Sequence, residues 1–216
     1  MFAGHLGAGL LLKKPAPSAN LGALFLAALG LDVILWVLIL FGVESLHVPT
    51  DYRHMSDITF DFPWSHSLVA AIAWSAIAFL AAMAVFRGKQ IVAFVIAAAV
   101  FSHFVLDWLV HVPEMPVLGQ NSPKLGLGLW KNLPVALTVE PLIVAVGLWV
   151  YLRTAQLSRA RTITLVALVV LVTVMTALGQ ISSSPAPAPV AAATSSLITI
   201  AVLVTAVWWI DRPQKR

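Results

Sequence analysis

The sequence contains no cysteine and few charged residues. Without cysteine the chain can form no disulfide, no thiolate metal site and no cysteine nucleophile. Charged residues make up 10% of the chain, whereas soluble domains carry about 25%. A mean hydropathy of +0.95 leaves too little polar surface to cover a fold in water. The composition therefore predicts an integral membrane protein.

Several catalytic signatures are also missing. The chain has no phosphate-binding glycine loop, no G-x-S-x-G nucleophile turn and no H-E-x-x-H zinc helix. The halves of the chain show no obvious sequence repeat, which gives no support to an inverted-repeat transporter. Function must therefore be sought in individual polar residues.

Six apolar segments are each long enough to cross a bilayer, which takes about 20 residues of helix. They cover residues 20–43, 65–86, 90–111, 133–152, 162–182 and 190–210. The first 12 residues are apolar but too short to span, so we expect a short amphipathic or re-entrant segment there. The predicted fold class is an all-α integral membrane protein with six transmembrane helices and this N-terminal segment, forming a single domain over residues 1–216.

Basic residues predict the orientation. With the N-terminus inside, ten of the 13 lysines and arginines fall in inner segments and three in outer loops. The inner set is Lys13, Lys14, Arg87, Lys89, Arg153, Arg159, Arg161, Arg212, Lys215 and Arg216. The positive-inside rule then places both termini in the cytoplasm of a multi-pass protein of the inner, or plasma, membrane.

The partners expected from this pattern are membrane lipids. The net charge of +4 comes from the inner segments, so nucleic acid is not expected as a partner. Spans five and six carry no charged residue. We expect them to be scaffold or the surface for a homo-oligomer or another membrane protein, and not part of a polar site.

Ionisable residues nevertheless occur within the apolar segments. Asp32, His103, Asp107 and Glu140 lie inside spans, and His66 and His111 lie at span ends. A charge at the bilayer centre costs about 2.5–3.5 kcal/mol on insertion scales, so such residues are read first as functional. At about 1.5 Å of rise per residue, most of them fall in the outer half of the membrane.

The spacing within span three predicts a metal site. His103, Asp107 and His111 follow one another at intervals of four, which places them along one stripe of a helix. Nitrogen and oxygen ligands without cysteine suit zinc, with iron or manganese as alternatives. The further candidates are His5 and His66 as metal ligands, and Asp32 and Glu140 as catalytic residues or additional ligands.

Structural interpretations compete with this one. His103 and Asp107 can simply pair inside the bundle, and Asp32 or Glu140 can form an interhelical hydrogen bond. His111 can be an interfacial residue. His5 reaches the site only if the N-terminal segment turns back into the membrane.

The order of these motifs resembles a known group of proteins. It runs Gly4-His5, Asp32 in an apolar helix, Ser65-His66-Ser67 and Ser102-His103-x3-Asp107. This order of motifs is similar to the order in the bacterial membrane-bound metal-dependent hydrolases of the LexA-regulated inner-membrane type. The resemblance covers roughly the first half of the chain. It implies a metal site formed by His5, Asp32, His66, His103 and Asp107.

The sequence also departs from that group. The group's D-x-D-H cluster is absent, since Asp32 is followed by Val33, Ile34 and Leu35. The group's R-G before T-H-S is replaced by Pro63-Trp64. The stretch from Asp107 to Pro116 is also similar to a related subgroup of uncharacterised membrane proteins.

Two functions follow as hypotheses. The first is a membrane-embedded, metal-dependent hydrolase acting near the outer leaflet on a lipid or headgroup ester. The second is a non-enzymatic protein, such as a small permease, an ion or proton pathway, or a subunit of a membrane complex, that uses the same His/Asp/Glu cluster.

Overall fold

The computed structural model describes residues 1–182 and 185–212, and they are mostly helical. The α-helices of this part of the chain are α1 (Phe2–Leu12), α2 (Leu21–Ala28), α3 (Gly30–Leu40), α4 (Leu68–Val85), α5 (Gln90–Val110), α6 (Leu133–Thr154), α7 (Arg159–Ile181) and α8 (Pro189–Ile210). The all-α prediction is confirmed. Lys215 and Arg216, which entered the charge count, lie outside the described residues.

Five helices, α4 to α8, are each long and apolar enough to cross a membrane. Helices α2 and α3 pass that test only together, with a bend of 54° between them. The described residues therefore contain five candidate spans, or six if the bent pair counts as one, as expected of a multi-pass membrane protein. The first predicted span, 20–43, is not one continuous helix, because Leu29 leaves the helical conformation with φ −99° and ψ 7°.

The later helices match the predicted spans within a few residues. Helix α4 begins at Leu68 and not at residue 65, because Ser67 is its N-cap. The Ser67 hydroxyl accepts a hydrogen bond from the Ala70 amide at 3.0 Å, which satisfies a free amide of the first turn. His66 consequently lies in the turn before α4 and not in the helix.

Two small antiparallel hairpins connect the helices at one end of the bundle. Strand β1 (Ser45–His47) pairs with β2 (Thr59–Asp61), and β3 (Met115–Pro116) pairs with β4 (Lys124–Leu125). The hairpins contact each other, since the Phe60 amide donates a hydrogen bond to the Glu114 carboxylate at 2.8 Å. We call this end of the bundle the hairpin end.

The opposite end is held by Asp211, which follows α8. Its carboxylate accepts hydrogen bonds from Lys13 Nζ, the Leu21 amide and the Tyr151 hydroxyl, each at 2.7 Å. We call these four residues the Asp211 clamp. The clamp joins the ends of α1, α6 and α8 to the start of α2.

Helix α1 lies inside the bundle, where it packs against α2, α5, α6 and α7. It is not an amphipathic surface helix, because its residues are apolar and buried on nearly all sides. Gly7 and Gly147 let α1 and α6 approach closely: a Cβ atom on Gly7 would lie 2.8 Å from the Ile143 backbone, and one on Gly147 would overlap the Gly7 carbonyl.

Candidate metal centre

Four elements bring ionisable side chains to one place in the hairpin half of the bundle. Two overlapping groups have geometry that could hold a metal ion, with ligand atoms within 4.8 Å of one another. The first group consists of His5, His103 and Asp107, and the second consists of Asp32, His66 and His103. We call these five residues the cluster. Every cluster residue except Asp32 is buried.

Three ligand atoms form the centre of the cluster. His103 Nε2 lies 3.0 Å from Asp107 Oδ2, and His66 Nε2 lies 3.2 Å from His103 Nε2 and 3.4 Å from Asp107 Oδ2. Around a tetrahedral zinc ion with bonds of about 2.0–2.1 Å, neighbouring ligand atoms lie about 3.3–3.4 Å apart. One separation matches this spacing and the other two are a few tenths of an ångström shorter, so a bound ion would move these atoms only slightly apart.

Asp32 adds a fourth atom. Its Oδ1 lies 3.6 Å from His103 Nε2 and 3.8 Å from His66 Nε2. The Asp32 side chain is 19% exposed, against 3% or less for its neighbours in the cluster. Asp32 is therefore the most open of the cluster residues toward the adjoining cavity. It also lies in the first turn of α3, where the helix dipole favours a carboxylate.

The break between α2 and α3 positions His103. The main-chain oxygen of Ala28, the last residue of α2, accepts a hydrogen bond from His103 Nδ1 at 2.7 Å. A carbonyl at a helix end has no partner within its helix, so this bond satisfies it. It also assigns the proton to Nδ1 and leaves the lone pair of Nε2 pointing at the cluster, as metal-binding histidines require.

His66 is oriented through a chain of two residues. Its Nδ1 lies 2.7 Å from Ser65 Oγ, and the Ser65 hydroxyl donates to Glu44 Oε2 at 2.6 Å. The other oxygen of Glu44 accepts the amides of Trp64 and Ser65 at 2.8 and 2.9 Å. Since the Ser65 proton goes to Glu44, Ser65 accepts the Nδ1 proton of His66. The lone pair of His66 Nε2 is thereby also directed at the cluster.

Glu44 was not among the sequence candidates, although it is 3% exposed. In the sequence it stands at the start of a polar loop, where carboxylates are normally solvated. It lies far from Ser65 along the chain, and no spacing rule connects the two. Only the fold of the loop between α3 and α4 brings them together.

His5 enters the cluster from α1. Its Nε2 lies 3.2 Å from Asp107 Oδ1, and its ring stacks on that of His103 with centroids 3.7 Å apart and planes 5° apart. The Met1 amino nitrogen lies 3.4 Å from the same Asp107 oxygen. Among the described residues, His5 Nδ1 is buried without a hydrogen-bond partner.

His111 does not join either metal-binding group within the described residues. Helix α5 ends at Val110, and His111 has extended backbone angles of φ −66° and ψ 146°. It therefore leaves the helical stripe that its spacing from His103 predicted. Its Nδ1 lies 2.5 Å from Glu114 Oε1, and its ring packs against Trp130 with centroids 4.5 Å apart.

Glu140 also lies outside both groups in the described part of the chain. One oxygen accepts the Gly4 amide at 3.1 Å and the other accepts Gln180 Nε2 at 2.8 Å. These bonds connect α6 to the start of α1 and to the end of α7. The geometry matches the interhelical hydrogen bond that the sequence left open as an alternative.

A cavity of about 370 Å³ adjoins the cluster. Asp32, His66, Asp107 and His111 form its polar wall, and apolar side chains such as Trp36, Phe62 and Trp130 form much of the remainder. The ends of α7 and α8 also line it, through Thr176, Gly179, Ser196 and Thr199 among others. The expectation that spans five and six take no part in the site is therefore wrong, because they form one of its walls.

A short 3-10 helix, Met55–Asp57, covers the cavity from the loop between β1 and β2. Asp57 Oδ2 accepts the amides of His54 and Arg53 at 2.8 Å each. These two hydrogen bonds lower the pKa of the Asp57 carboxyl below its ordinary value of 3.8. The charged form of Asp57 therefore stabilises this turn.

The chain matches no family model, no curated protein and no solved structure. The likeness to the metal-dependent hydrolases thus rests on the sequence motifs alone. The geometry of the cluster and the cavity is therefore the guide to function.

Proposed function

We propose that this protein is a membrane-embedded hydrolase that depends on a divalent metal. One observation carries the proposal. The Nε2 atoms of His66 and His103 lie 3.2 Å apart, and each lies 3.0–3.8 Å from a carboxylate oxygen of Asp32 and of Asp107. Electron-rich atoms at such distances repel one another unless a cation or a proton lies among them.

The residues behind the ligands favour the metal over the proton. Both histidines have a hydrogen-bond acceptor at Nδ1, namely Ala28 O for His103 and Ser65 Oγ for His66. Such partners fix the tautomer that binds metal and hold the ring in place. A neutral imidazole and a carboxylate are ligands for zinc, which we propose as the metal, with iron and manganese as alternatives.

A bound divalent metal supplies a Lewis acid and lowers the pKa of coordinated water to about 7. His66, His103 and Asp107 would hold it, and His5 would restrain the second oxygen of Asp107. Asp32 faces the cavity, so it is placed either to complete the ligand set or to accept a proton from water. The Glu114 carboxylate holds His111 on the same wall of the cavity.

We propose an ester or phosphoester of a lipid headgroup as substrate, because the cavity combines an apolar lining with a polar end. Its volume lies within the range of about 300–1,000 Å³ usual for small-molecule sites. The positive-inside pattern supports a hairpin end at the outer face of the plasma membrane and a clamp end in the cytoplasm. The site would then act on the outer leaflet.

Metal analysis tests the proposal. Protein purified without added chelator should contain about one equivalent of a divalent metal by inductively coupled plasma mass spectrometry. His66→Ala and His103→Ala should each lose it. His47→Ala is the matched control, since His47 pairs with Asp61 at 2.8 Å on the exposed hairpin and should leave the metal in place.

Catalysis is tested separately, by chelator-sensitive release of headgroups from vesicles of phosphatidylglycerol and phosphatidylethanolamine. Protein that folds but binds no divalent metal under any loading condition would contradict the proposal. Proton flux in liposomes that is lost in Glu140→Gln would then support the permease alternative.

A further inference from the structure

The cavity beside the cluster extends to α7 and α8. One face of α7, containing Met175, Thr176 and Gly179, lines it. The facing side of α8, containing Ser195 and Thr199, lines it too. Residues of two consecutive helices therefore line the cavity near the hairpin end.

The cavity reaches the outer surface of the helix bundle. Met175, Gly179, Ser195 and Thr199 are exposed and line the cavity at the same time. We take these four residues, which reach both the cavity and the outer surface, as the mouth of the cavity. Small side chains keep this mouth open: a Cβ atom added to Gly179 would meet nothing within 4 Å.

The surface around the mouth is apolar. Leu178 on α7 and Ile198 on α8 are 44% and 59% exposed and do not line the cavity. Both lie within helices long and apolar enough to cross a membrane. In a membrane this surface contacts hydrocarbon, so the mouth opens toward lipid chains and not toward water.

The cavity thus runs from a lipid-facing mouth to a polar end. Asp32, His66 and Asp107 form the polar end, and Leu35 and Trp36 belong to the apolar lining. An amphiphile already in the membrane has the same arrangement, with an apolar chain at one end and a polar head at the other. Its head would meet the cluster while its chain stays beside α7 and α8.

We propose that the substrate is a membrane amphiphile that enters sideways between α7 and α8, with one hydrocarbon chain lodged against Gly179 and Ser195. This inference rests on the proposed function for the chemistry, but the binding itself needs no catalysis. It predicts that bulk at the mouth excludes lipid without disturbing the cluster.

The test is lipid binding by native mass spectrometry, with phosphatidylglycerol added to the purified protein in detergent. Gly179→Phe should weaken retention of a single lipid at least ten-fold. Leu178→Phe is the matched control, since it adds an aromatic ring at the neighbouring, lipid-facing position and should bind lipid like the wild type. Ser195→Phe blocks the mouth from the α8 side. It keeps the test valid if Gly179→Phe fails to fold.

Metal content should be unchanged in all three variants. Equal lipid retention in Gly179→Phe, Ser195→Phe and the wild type would overturn the inference. A wild type that binds no metal, but loses lipid on Gly179→Phe, would overturn the proposed function and support the lateral route.

Discussion

His103 in α5 is joined to the break in the first span, because its Nδ1 donates a hydrogen bond to the main-chain oxygen of Ala28 at 2.7 Å. This bond satisfies the end of α2 and orients Nε2 of the ring toward the cluster. The structural bond and the proposed metal bond thus use opposite nitrogens of one imidazole, and substitution can separate them.

His103→Asn makes that separation. The asparagine amide can replace Nδ1 as the donor to Ala28, but it has no atom at the position of Nε2. We expect the variant to unfold close to the wild-type temperature and to bind zinc at least 100-fold more weakly. Thermal unfolding followed by circular dichroism and competition with a zinc chelator would measure the two effects. Wild-type zinc affinity in this variant would remove His103 from the ligand set.

Substitutions in the hydrogen-bonded chain from Glu44 through Ser65 to His66 should lower the metal affinity less than His103→Asn does. Ser65→Ala removes the acceptor of His66 Nδ1, and Glu44→Gln weakens the hold on Ser65. Loss of a hydrogen-bond partner that orients a metal ligand lowers the metal affinity about 10–100-fold. Ser75→Ala is the control, because the Ser75 hydroxyl bonds only to Ala71 O in α4 at 2.7 Å. Equal chelator competition in all three variants would contradict the orienting role.

Gly147→Ala should destabilise the fold, because the new Cβ atom would collide with the Gly7 carbonyl of α1. Overpacking of this kind costs about 1–3 kcal/mol. Gly179→Ala is the matched control, because its new Cβ atom would meet nothing within 4 Å. Alanine has the higher helix propensity, so this variant should be as stable as the wild type or more stable by up to about 1 kcal/mol. Denaturant unfolding in detergent measures both, and equal unfolding midpoints would refute the close contact of α1 with α6.

Asp211→Ala should be the most destabilising of these changes. It leaves Lys13, whose side chain is 12% exposed, without its ion-pair partner and the Leu21 amide without its acceptor. Breaking such a largely buried pair costs about 3 kcal/mol or more. Adding Lys13→Met should recover part of the loss, as measured by unfolding of the single and double variants. A double variant no more stable than Asp211→Ala would argue against a role for the unpaired charge.

Acid should loosen the turn over the cavity. Hydrogen bonds from the amides of His54 and Arg53 lower the pKa of the Asp57 carboxyl. The charged carboxylate therefore stabilises the turn fully at a pH above its ordinary pKa of 3.8. The effect disappears as the pH falls through the lower pKa of the folded state. Hydrogen exchange of residues 53–58, corrected for the intrinsic rate, should therefore accelerate below about pH 4. In Asp57→Asn that pH dependence should vanish.

The sequence predicted the membrane-crossing helices better than their arrangement. Average hydropathy identified α4 to α8, since each is a long apolar run. It could not reveal the bend at Leu29, because the residues on both sides are equally apolar. For α1 the sequence left an amphipathic and a re-entrant position open, because its burial depends on close contact through Gly7 and Gly147.

The candidate site was predictable where its residues share one helix. The four-residue spacing of His103 and Asp107 predicted that they lie together, and the structure places them 3.0 Å apart. The same rule misplaced His111, because α5 ends before it. Whether these residues bind metal stays a prediction, as do the catalytic roles of Asp32 and Glu140.

The packing of α1 has a consequence for biosynthesis. Helix α1 is translated before the other described helices, but its neighbours α6 and α7 are translated only after every residue of the cluster. A nascent chain that ends after α5 carries all five residues of the cluster but lacks α6, which packs closely against α1. We therefore expect the cluster to take its final geometry late, once α6 and α7 have been inserted beside α1.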